Sequence, residues 1–411
     1  MRSLVLCLIA GIAPQAMSQT PHGDLSGLLD LRVGAGGGET SWLDGGFGKL
    51  GLGGEDDLDA RIARGALVWR PHLTWSTDLY LQLEFDPEQD NPVGVGEAYL
   101  RFKPMPAGSL RYSLKVGAFY PPVSLENDGV AWSTSRTLTP SAINTWIGEE
   151  VKVGGLETSV TMPAGAGHLT ATGAAFGYND TAGTLLTFRG WAMHDHQINL
   201  GGEFPLPERT PAWWALRPRQ AHVAEPFREI DGRVGYYAQL EWRPAAPFAA
   251  SVLHYDNNGD GHSRDDFQTS WDTAFTNVSV IAQLGENTQL LAQAMLGETA
   301  WIPLANGPVA KVDDVGFRSA YILLDHAFGG QGLAARLEAF ETTDENQPYS
   351  LNSTPENGWA VTASWRNHLT TNLIWMVEGV YVESNRDARS QVGVDPDQNQ
   401  LQLQTALRVN F

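Results

Sequence analysis

The sequence predicts an all-β protein, a transmembrane antiparallel up-and-down β-barrel of eighteen strands, with sixteen as the smaller alternative. Three observations lead there. Runs of about ten residues alternate apolar and polar side chains, the links between runs fall into short and long classes, and the chain ends on an alternating segment closed by Phe411.

The alternation is clearest at Leu79 to Asp86. Leu79, Leu81, Leu83 and Phe85 occupy one face, while Tyr80, Gln82, Glu84 and Asp86 occupy the other. A period of two sends successive side chains to opposite faces of a strand, so one face is oily and the other wet. The same division recurs in Ala98, Leu100 and Phe102 against Glu97, Tyr99 and Arg101. It returns in Tyr236 to Arg243, Leu333 to Ala339 and Trp359 to Arg366.

Short links are expected at Arg70–Ser76, Lys103–Leu110, Met162–His168, His194–Ile198, Arg243–Phe248, Leu284–Thr288, Phe328–Gly332 and Asn367–Thr371. Between them lie links of variable length, several of them long, at Ala35–Asp59, Pro87–Pro92, Pro121–Ile147, Asn179–Ala182, Leu206–Asp231, Asn257–Thr269, Pro303–Val315, Thr343–Glu356 and Asn385–Gln398. Eight turns and nine loops join eighteen strands and leave both termini on one side. An even count, with short periplasmic turns and longer extracellular loops, suits a closed sheet that has no edge to leave unsatisfied in lipid. The least secure strands are Asp24–Gly34 and Ile198–Phe204, which is why sixteen stays open. A soluble sandwich or propeller would not show this two-sided loop asymmetry, and no blade-length repeat is present.

In the last segment Leu401, Leu403, Thr405, Leu407, Val409 and Phe411 share one face, with Gln402, Gln404, Arg408 and Asn410 on the other. A terminal Phe closing such a strand resembles the C-terminal signature of outer-membrane proteins, which implies barrel-assembly machinery as a partner. Aromatics near strand ends, namely Trp69, Trp75, Trp132, Trp146, Trp191, Trp242, Trp301, Trp365 and Trp375, fit interfacial girdles.

The totals agree with an exported protein. Arg2, the apolar stretch Leu4–Ala13 and Ala16-Met17-Ser18 read as a signal peptide over 1–18, leaving a barrel domain over 19–411. The one cysteine, Cys7, lies in that leader, so disulfides cannot staple the mature chain. A net charge of −20 excludes a general nucleic-acid binder. No later apolar stretch is long enough to cross a bilayer as a helix.

The stretch Lys115-Val116-Gly117-Ala118-Phe119-Tyr120-Pro121-Pro122-Val123-Ser124-Leu125-Glu126 resembles the G-x-F-x-P-P-x-S-L-E motif of the phosphate-selective porin O and P family. The resemblance implies a porin, a homotrimer, and an inward constriction loop matching 120–148. It also implies basic pore-lining residues, and here the chain departs from the pattern. It has only Lys49, Lys103, Lys115 and Lys152, with no lysine cluster after Glu126, so phosphate itself is not carried over as the solute.

By parity the wet face carries Arg101, Arg111, Lys115, Arg189, Arg243, Arg336, Arg366 and Arg408 among Glu84, Glu97, Glu241, Glu338 and Glu378. Charged walls set selectivity by concentrating counter-ions and replacing hydration. The candidate solute contacts are Arg101, Arg111, Lys115, Arg189 and Glu97 on the wall, with Glu126 and Arg136 in the loop. Mixed signs predict weak selectivity for small hydrophilic solutes or ions, with anions such as phosphate as the finer option. A loop that merely shields the mouth is the alternative to an inward one.

No metal or cofactor is expected. Asp256–Gly261 opens like a calcium loop but has Phe267 where the bidentate Glu belongs, and it reads as an Asn/Asp/Gly turn, although calcium bridging of acidic loops to lipopolysaccharide stays conceivable. His194-Asp195-His196 supplies too few ligands for zinc. The competing functions are a lipid-cleaving barrel enzyme, for which His254 and His326 show no hydroxyl partner by pattern, and a structural or adhesive barrel.

Overall fold

A computed structural model describes residues 24–411, apart from 55–57, 90, 107, 212, 214–219, 303–312, 346–351 and 353. The leader expected at 1–18 lies outside the described residues. The alternating runs form strands β1 (Asp24–Gly38), β2 (Asp59–Arg70), β3 (Thr77–Phe85), β4 (Val93–Phe102), β5 (Arg111–Phe119), β6 (Val153–Ala164), β7 (Gly167–Gly177) and β8 (Gly235–Arg243). They continue as β9 (Phe248–Asp256), β10 (Asp272–Gln283), β11 (Thr288–Trp301), β12 (Asp313–Phe328), β13 (Gln331–Asp344), β14 (Glu356–His368), β15 (Leu373–Arg386) and β16 (Asp397–Asn410). Each strand pairs antiparallel with its neighbours, and β16 returns to β1, closing a barrel of sixteen strands. None of the helices among the described residues is long and apolar enough to cross a membrane.

The closure is a backbone event. β1 and β16 pair from Leu28 opposite Asn410 to Gly38 opposite Gln400. Gly27 and Phe411 extend the seam by exchanging N–H···O bonds of 2.9 and 3.1 Å. The ring of Phe411 lies over Gly27, where a Cβ would stand 2.3 Å from Cζ.

The oily face points outward. Leu333, Leu337, Val361, Leu401, Leu403 and Leu407 are exposed, whereas Ala334, Arg336, Glu338, Thr362, Gln402 and Gln404 from the alternate positions are buried. Such an inside-out arrangement suits a hydrocarbon surround, because strand backbones find all their partners within the closed sheet. Links at one end are short, as at 165–166 and 329–330, while those at the other end include the long segments 39–58, 120–152 and 178–234.

The expected count of eighteen is corrected to sixteen at one place. The strand expected at Ile198–Phe204, and the one before the turn expected at His194–Ile198, do not join the barrel. Between β7 and β8 the described residues instead carry a short helix, α2 (Thr184–Phe188), and a small two-stranded pairing of Phe204–Pro205 with Val223–Ala224. The physical reason is burial on every side. Leu185, Leu186, Trp191, Met193 and Ile198 are all completely buried, and Gly183 and Gly190, with φ of 105° and 84°, bracket the helix with left-handed turns that break an extended run. The first strand, expected to end at Gly34, runs on to Gly38.

Residues 120–152 carry helix α1 (Ala142–Glu150). Ser141 caps its N-terminus by accepting the Asn144 N–H, and all nine helix residues are buried. Trp146 meets Phe275 and Phe317 of the wall with ring centroids 5.4 and 5.1 Å apart, and Trp191 packs beside it at 6.1 Å. Trp132, Trp146 and Trp191 therefore belong to the inward segments rather than to a lipid girdle, while Trp69, Trp75, Trp242 and Trp375 are exposed.

Gly27→Leu would push the exposed Phe411 ring off its seat beside the seam. The expected outcome is a lower yield of barrel that resists unheated detergent electrophoresis. An unchanged yield would show that the seam does not depend on this contact.

Candidate functional site: the lumen and its inward segments

The inward face of the wall holds the segments through ion pairs and charge-assisted hydrogen bonds. Glu378 on β15 accepts the N–H groups of Leu138 and Thr139 at 2.6 and 3.0 Å, and Glu338 on β13 accepts that of Ala142 at 2.8 Å. Arg336, fully buried, bonds Glu126 and Glu338 at 2.8 Å and the carbonyls of Thr139 and Pro140 at 2.8 and 3.0 Å. Glu126 also accepts from Ser141 N–H and Oγ–H at 2.9 and 2.6 Å. Charged acceptors aimed at backbone donors are among the stronger hydrogen bonds a protein makes, and here they satisfy a loop with no sheet partners of its own.

A second set ties residues 178–234 to α1. Arg189 makes a two-pronged pair with Glu149 at 2.6 Å on each prong, and His194 Nε2 meets the same carboxylate at 2.6 Å. Glu150 accepts the N–H groups of Gly183 and Leu185 at 3.1 and 2.8 Å, and Trp146 Nε1–H at 2.7 Å. Burial pushes the Glu149 carboxyl upward, but Arg189 and then His194 outweigh it and bring it down to about 2. Burial dominates at Glu150 and raises it to about 7.

The wall secures this pair of segments from other sides. Arg32 on β1 bonds Asp195 at 2.9 Å and Asp30 at 2.9 and 3.1 Å. Arg64 on β2 reaches Glu84 and Gln197, and His196 Nδ1 meets Asp86 at 2.7 Å. Lys49 pairs with Glu356, which also holds Arg386 at 3.1 Å, and Arg386 donates to the Thr187 carbonyl at 3.1 Å; separately, Arg389 of the β15–β16 link binds Glu39 of the β1–β2 link at 2.8 Å.

Towards the short-turn end, charges still touch solvent. One row of paired positions runs Asp78, Arg101, Lys115 and Glu157 across β3 to β6. Arg101 bonds Asp78 at 2.8 Å and Lys115 approaches Glu157 at 3.0 Å, with Arg101 and Lys115 30% and 17% exposed. Facing cations across a ladder repel, and each is offset here by a carboxylate on its far side. From the loop, Arg136 bonds Asp128 and Gln289 at 2.7 Å, and on the wall Arg366 pairs with Asp325 at 2.5 and 2.9 Å.

The residues singled out from sequence thus occupy different settings. Arg101, Lys115 and Glu97 share a sector of β4 and β5, where Glu97 is buried and accepts the Tyr120 N–H at 3.0 Å. Arg111 sits exposed at the start of β5. Arg136 is tethered to Asp128, and Glu126 is withdrawn beneath Arg336. Arg189 is not on a wall strand at all, because its segment entered the barrel. His194, Asp195 and His196, placed by sequence in a short turn, each hold a separate charged partner inside. At Asp256–Gly261 the side chains of Asp256, Asn257 and Asp260 accept N–H groups of their own loop.

Sequence reasoning missed Asp30, Arg32, Lys49, Glu356, Arg386 and Arg389. It also missed the apolar inward residues Leu253, Phe275, Met295, Phe317, Tyr321 and Leu323 that receive the segments. A signal for the latter exists in the run Tyr321-Ile322-Leu323-Leu324, which has lost its alternation, as strands buried on both faces do.

No family model matches the chain, and no curated protein matches it. Solved structures do. The outer membrane channel DcaP of Acinetobacter baumannii aligns at a TM-score of 0.58 and 11% identity, covering 94% of this chain and 96% of that one. What the two share is the fold, a closed all-β barrel. OprB of Pseudomonas putida aligns at 0.52 and 13% identity over 95% and 94% of the two chains, and OmpF of Salmonella typhi at 0.50 and 12% over 94% and 97%. At such identities the likeness speaks for the closed all-β barrel, and the oily exterior independently calls for lipid around it.

Glu149→Gln would leave the Arg189 charge buried without its counter-ion, a loss of about 3–5 kcal/mol for a broken buried pair. Because the Glu149 carboxyl titrates lower in the folded protein than its ordinary 4.5, its stabilisation is present above that value and drains away as pH falls towards about 2. Amide-exchange protection over 142–150, corrected for intrinsic rates, is therefore expected to drop on acidification through this window in the native protein. The variant should start low and change less; equal pH dependence in both would remove Glu149 from this role.

Proposed function

We propose that the protein is a porin of the bacterial outer membrane, a passive channel for small hydrophilic solutes and ions narrowed by residues 120–152 and 179–199. The observation that carries this reading is a closed barrel, oily outside, whose interior keeps part-exposed charge at Arg101, Lys115, Arg136 and Asp128 while two chain segments are pinned across it. The likeness to an outer membrane channel supports it.

Ion preference is weak in this reading. Arg101, Lys115 and Arg136 each face a carboxylate, so neither sign prevails, and nothing favours phosphate over other anions. The signal peptide at 1–18, a homotrimer, a lipopolysaccharide surround, and delivery by assembly machinery through the strand ending in Phe411 belong to the same proposal.

A lipid-cleaving enzyme is the second reading, raised by a contact the sequence did not reveal. His254 Nδ1 meets Thr276 Oγ1 at 3.0 Å and His326 Nδ1 meets Thr288 Oγ1 at 2.8 Å, so each histidine does have a hydroxyl partner on the adjacent strand. Neither pair has a carboxylate orienting the other ring nitrogen among the described residues, and a nucleophile normally needs that third group.

Reconstituted in planar bilayers, the mature chain should give steady, small conductance steps with reversal potentials near zero under a salt gradient. Arg136→Glu should shift the reversal potential towards cation preference. Barrels that insert without conducting would sink the channel reading, and fatty acid released from added phospholipid in a His254-dependent manner would establish the enzyme.

A further inference from the structure

The inward segments meet the wall differently on its two sides. Over β9 to β12, α1 shares one buried apolar cluster with Leu253, Phe275, Met295 and Phe317, a dry contact that offers water no route. Beside β1 to β3 the contact is polar and made by side chains, with Arg32 on Asp195, His196 on Asp86 and Arg64 on Gln197. Ions need polar groups to replace their hydration, so a passage through the barrel follows this seam. Solvent reaches the seam from both ends. Arg61 and Asp195, towards the long loops, are 17% and 19% exposed, and Arg101 meets solvent towards the short turns. Between these levels Arg64, Gln82, Glu84, Val68, Tyr80 and Ala131 are all buried, so the seam is shut there.

The part that shuts it is the turn Gly129 to Ser133, in which the Gly129 N–H donates to the Ser133 carbonyl at 2.8 Å. At its centre Ala131 and Trp132 stand at φ of 54° and 57°, in the left-handed region that is costly for a residue with a Cβ. Ala131 joins Val68 and Tyr80 in a small buried apolar cluster, and Val130 packs against it. Three side chains hold the turn in place. Arg64 grips Glu84 at 2.6 and 2.9 Å and donates as well to the Ala131 carbonyl and, at 2.9 Å, to Gln197 Oε1. Gln197 Nε2–H and Asn127 Nδ2–H both donate to the Trp132 carbonyl, at 2.9 and 2.7 Å. Two adjacent left-handed residues persist only where their surroundings over-determine them, and here the wall and the second segment supply that hold together.

We propose that the turn 129–133 is the gate of the channel, latched by Arg64 of the wall and Gln197 of the second segment, and that passage requires it to lift from Val68 and Tyr80. The inference rests on the channel reading and deepens it by naming where the path opens. Backbone strain at Ala131 and Trp132 favours lifting, while the hydrogen bonds of Arg64, Gln197 and Asn127 and the apolar contact oppose it. The apolar side chains at the closed level add a barrier, because a narrow apolar constriction sheds water. The conductance steps of the reconstituted chain are openings of this turn.

The open fraction of single channels in planar bilayers tests this. Arg64→Lys keeps a charge beside Glu84 but loses the planar fork that reaches Gln197 and the Ala131 carbonyl together, and Gln197→Ala removes the bond to the Trp132 carbonyl. Each should raise the open fraction roughly fivefold. Ala131→Gly takes the left-handed conformation without the Cβ cost and should lower the open fraction by a similar factor. A general loosening of the loop would move all three variants the same way. In the paired variant Val68→Cys with Ala131→Cys, bridged by a short dialkylating thiol reagent and verified by mass, conduction should cease. The unsubstituted chain, with no cysteine after Cys7, is the control for the reagent. Bridged barrels that conduct as before, or an open fraction unmoved in all three single variants, would overturn the gate and leave the channel standing. Silence of every folded protein, Arg64→Lys and Gln197→Ala included, would sink the channel reading itself. Heat-modifiable electrophoresis confirms that each variant is folded.

Discussion

The rest of the structure depends on one constraint, the pairing of every strand's backbone within a ring. In hydrocarbon an unpaired N–H or C=O has no water to turn to, so a sheet survives there only if its first and last strands meet. The long register between β1 and β16, extended by Gly27 and Phe411, meets that demand. The small residue at Gly27 and the terminal ring above it are two parts of one joint.

Closure creates an interior, and the interior sets a second problem. Residues 120–152 and 179–199 bring backbone into it without barrel strands to pair with. Buried carboxylates and guanidinium groups on the wall answer this by serving as hydrogen-bond partners for loop backbone, as Glu378, Glu338 and Arg336 do. Much of the charge that looks from parity like pore lining is therefore structural, and the charge left to solvent lies towards the short-turn end around Arg101 and Lys115. Inward aromatics such as Phe275 and Phe317 complete the arrangement by giving α1 an apolar seat.

Legibility followed the same division. Strands with lipid on one side and polar interior on the other announced themselves by a period of two, and β3, β8 and β14 lie where that period placed them. The segment around α2 failed the test in an instructive way. Its apolar residues, Leu185, Leu186 and Trp191, are buried by packing inside rather than by lipid outside, and composition alone does not tell these two oily surroundings apart. The same ambiguity misassigned Trp146 and Trp191 to an interfacial belt.

The sequence by itself determined the closed-barrel class, the outward oily face and the terminal strand, because these are repeated local patterns that each strand carries independently. Only the tertiary structure decided the strand count, the fate of residues 178–234 and the partner of each lumenal charge. Those depend on contacts between positions far apart in the chain, such as Arg32 with Asp195 and Glu126 with Arg336, and no local period encodes them.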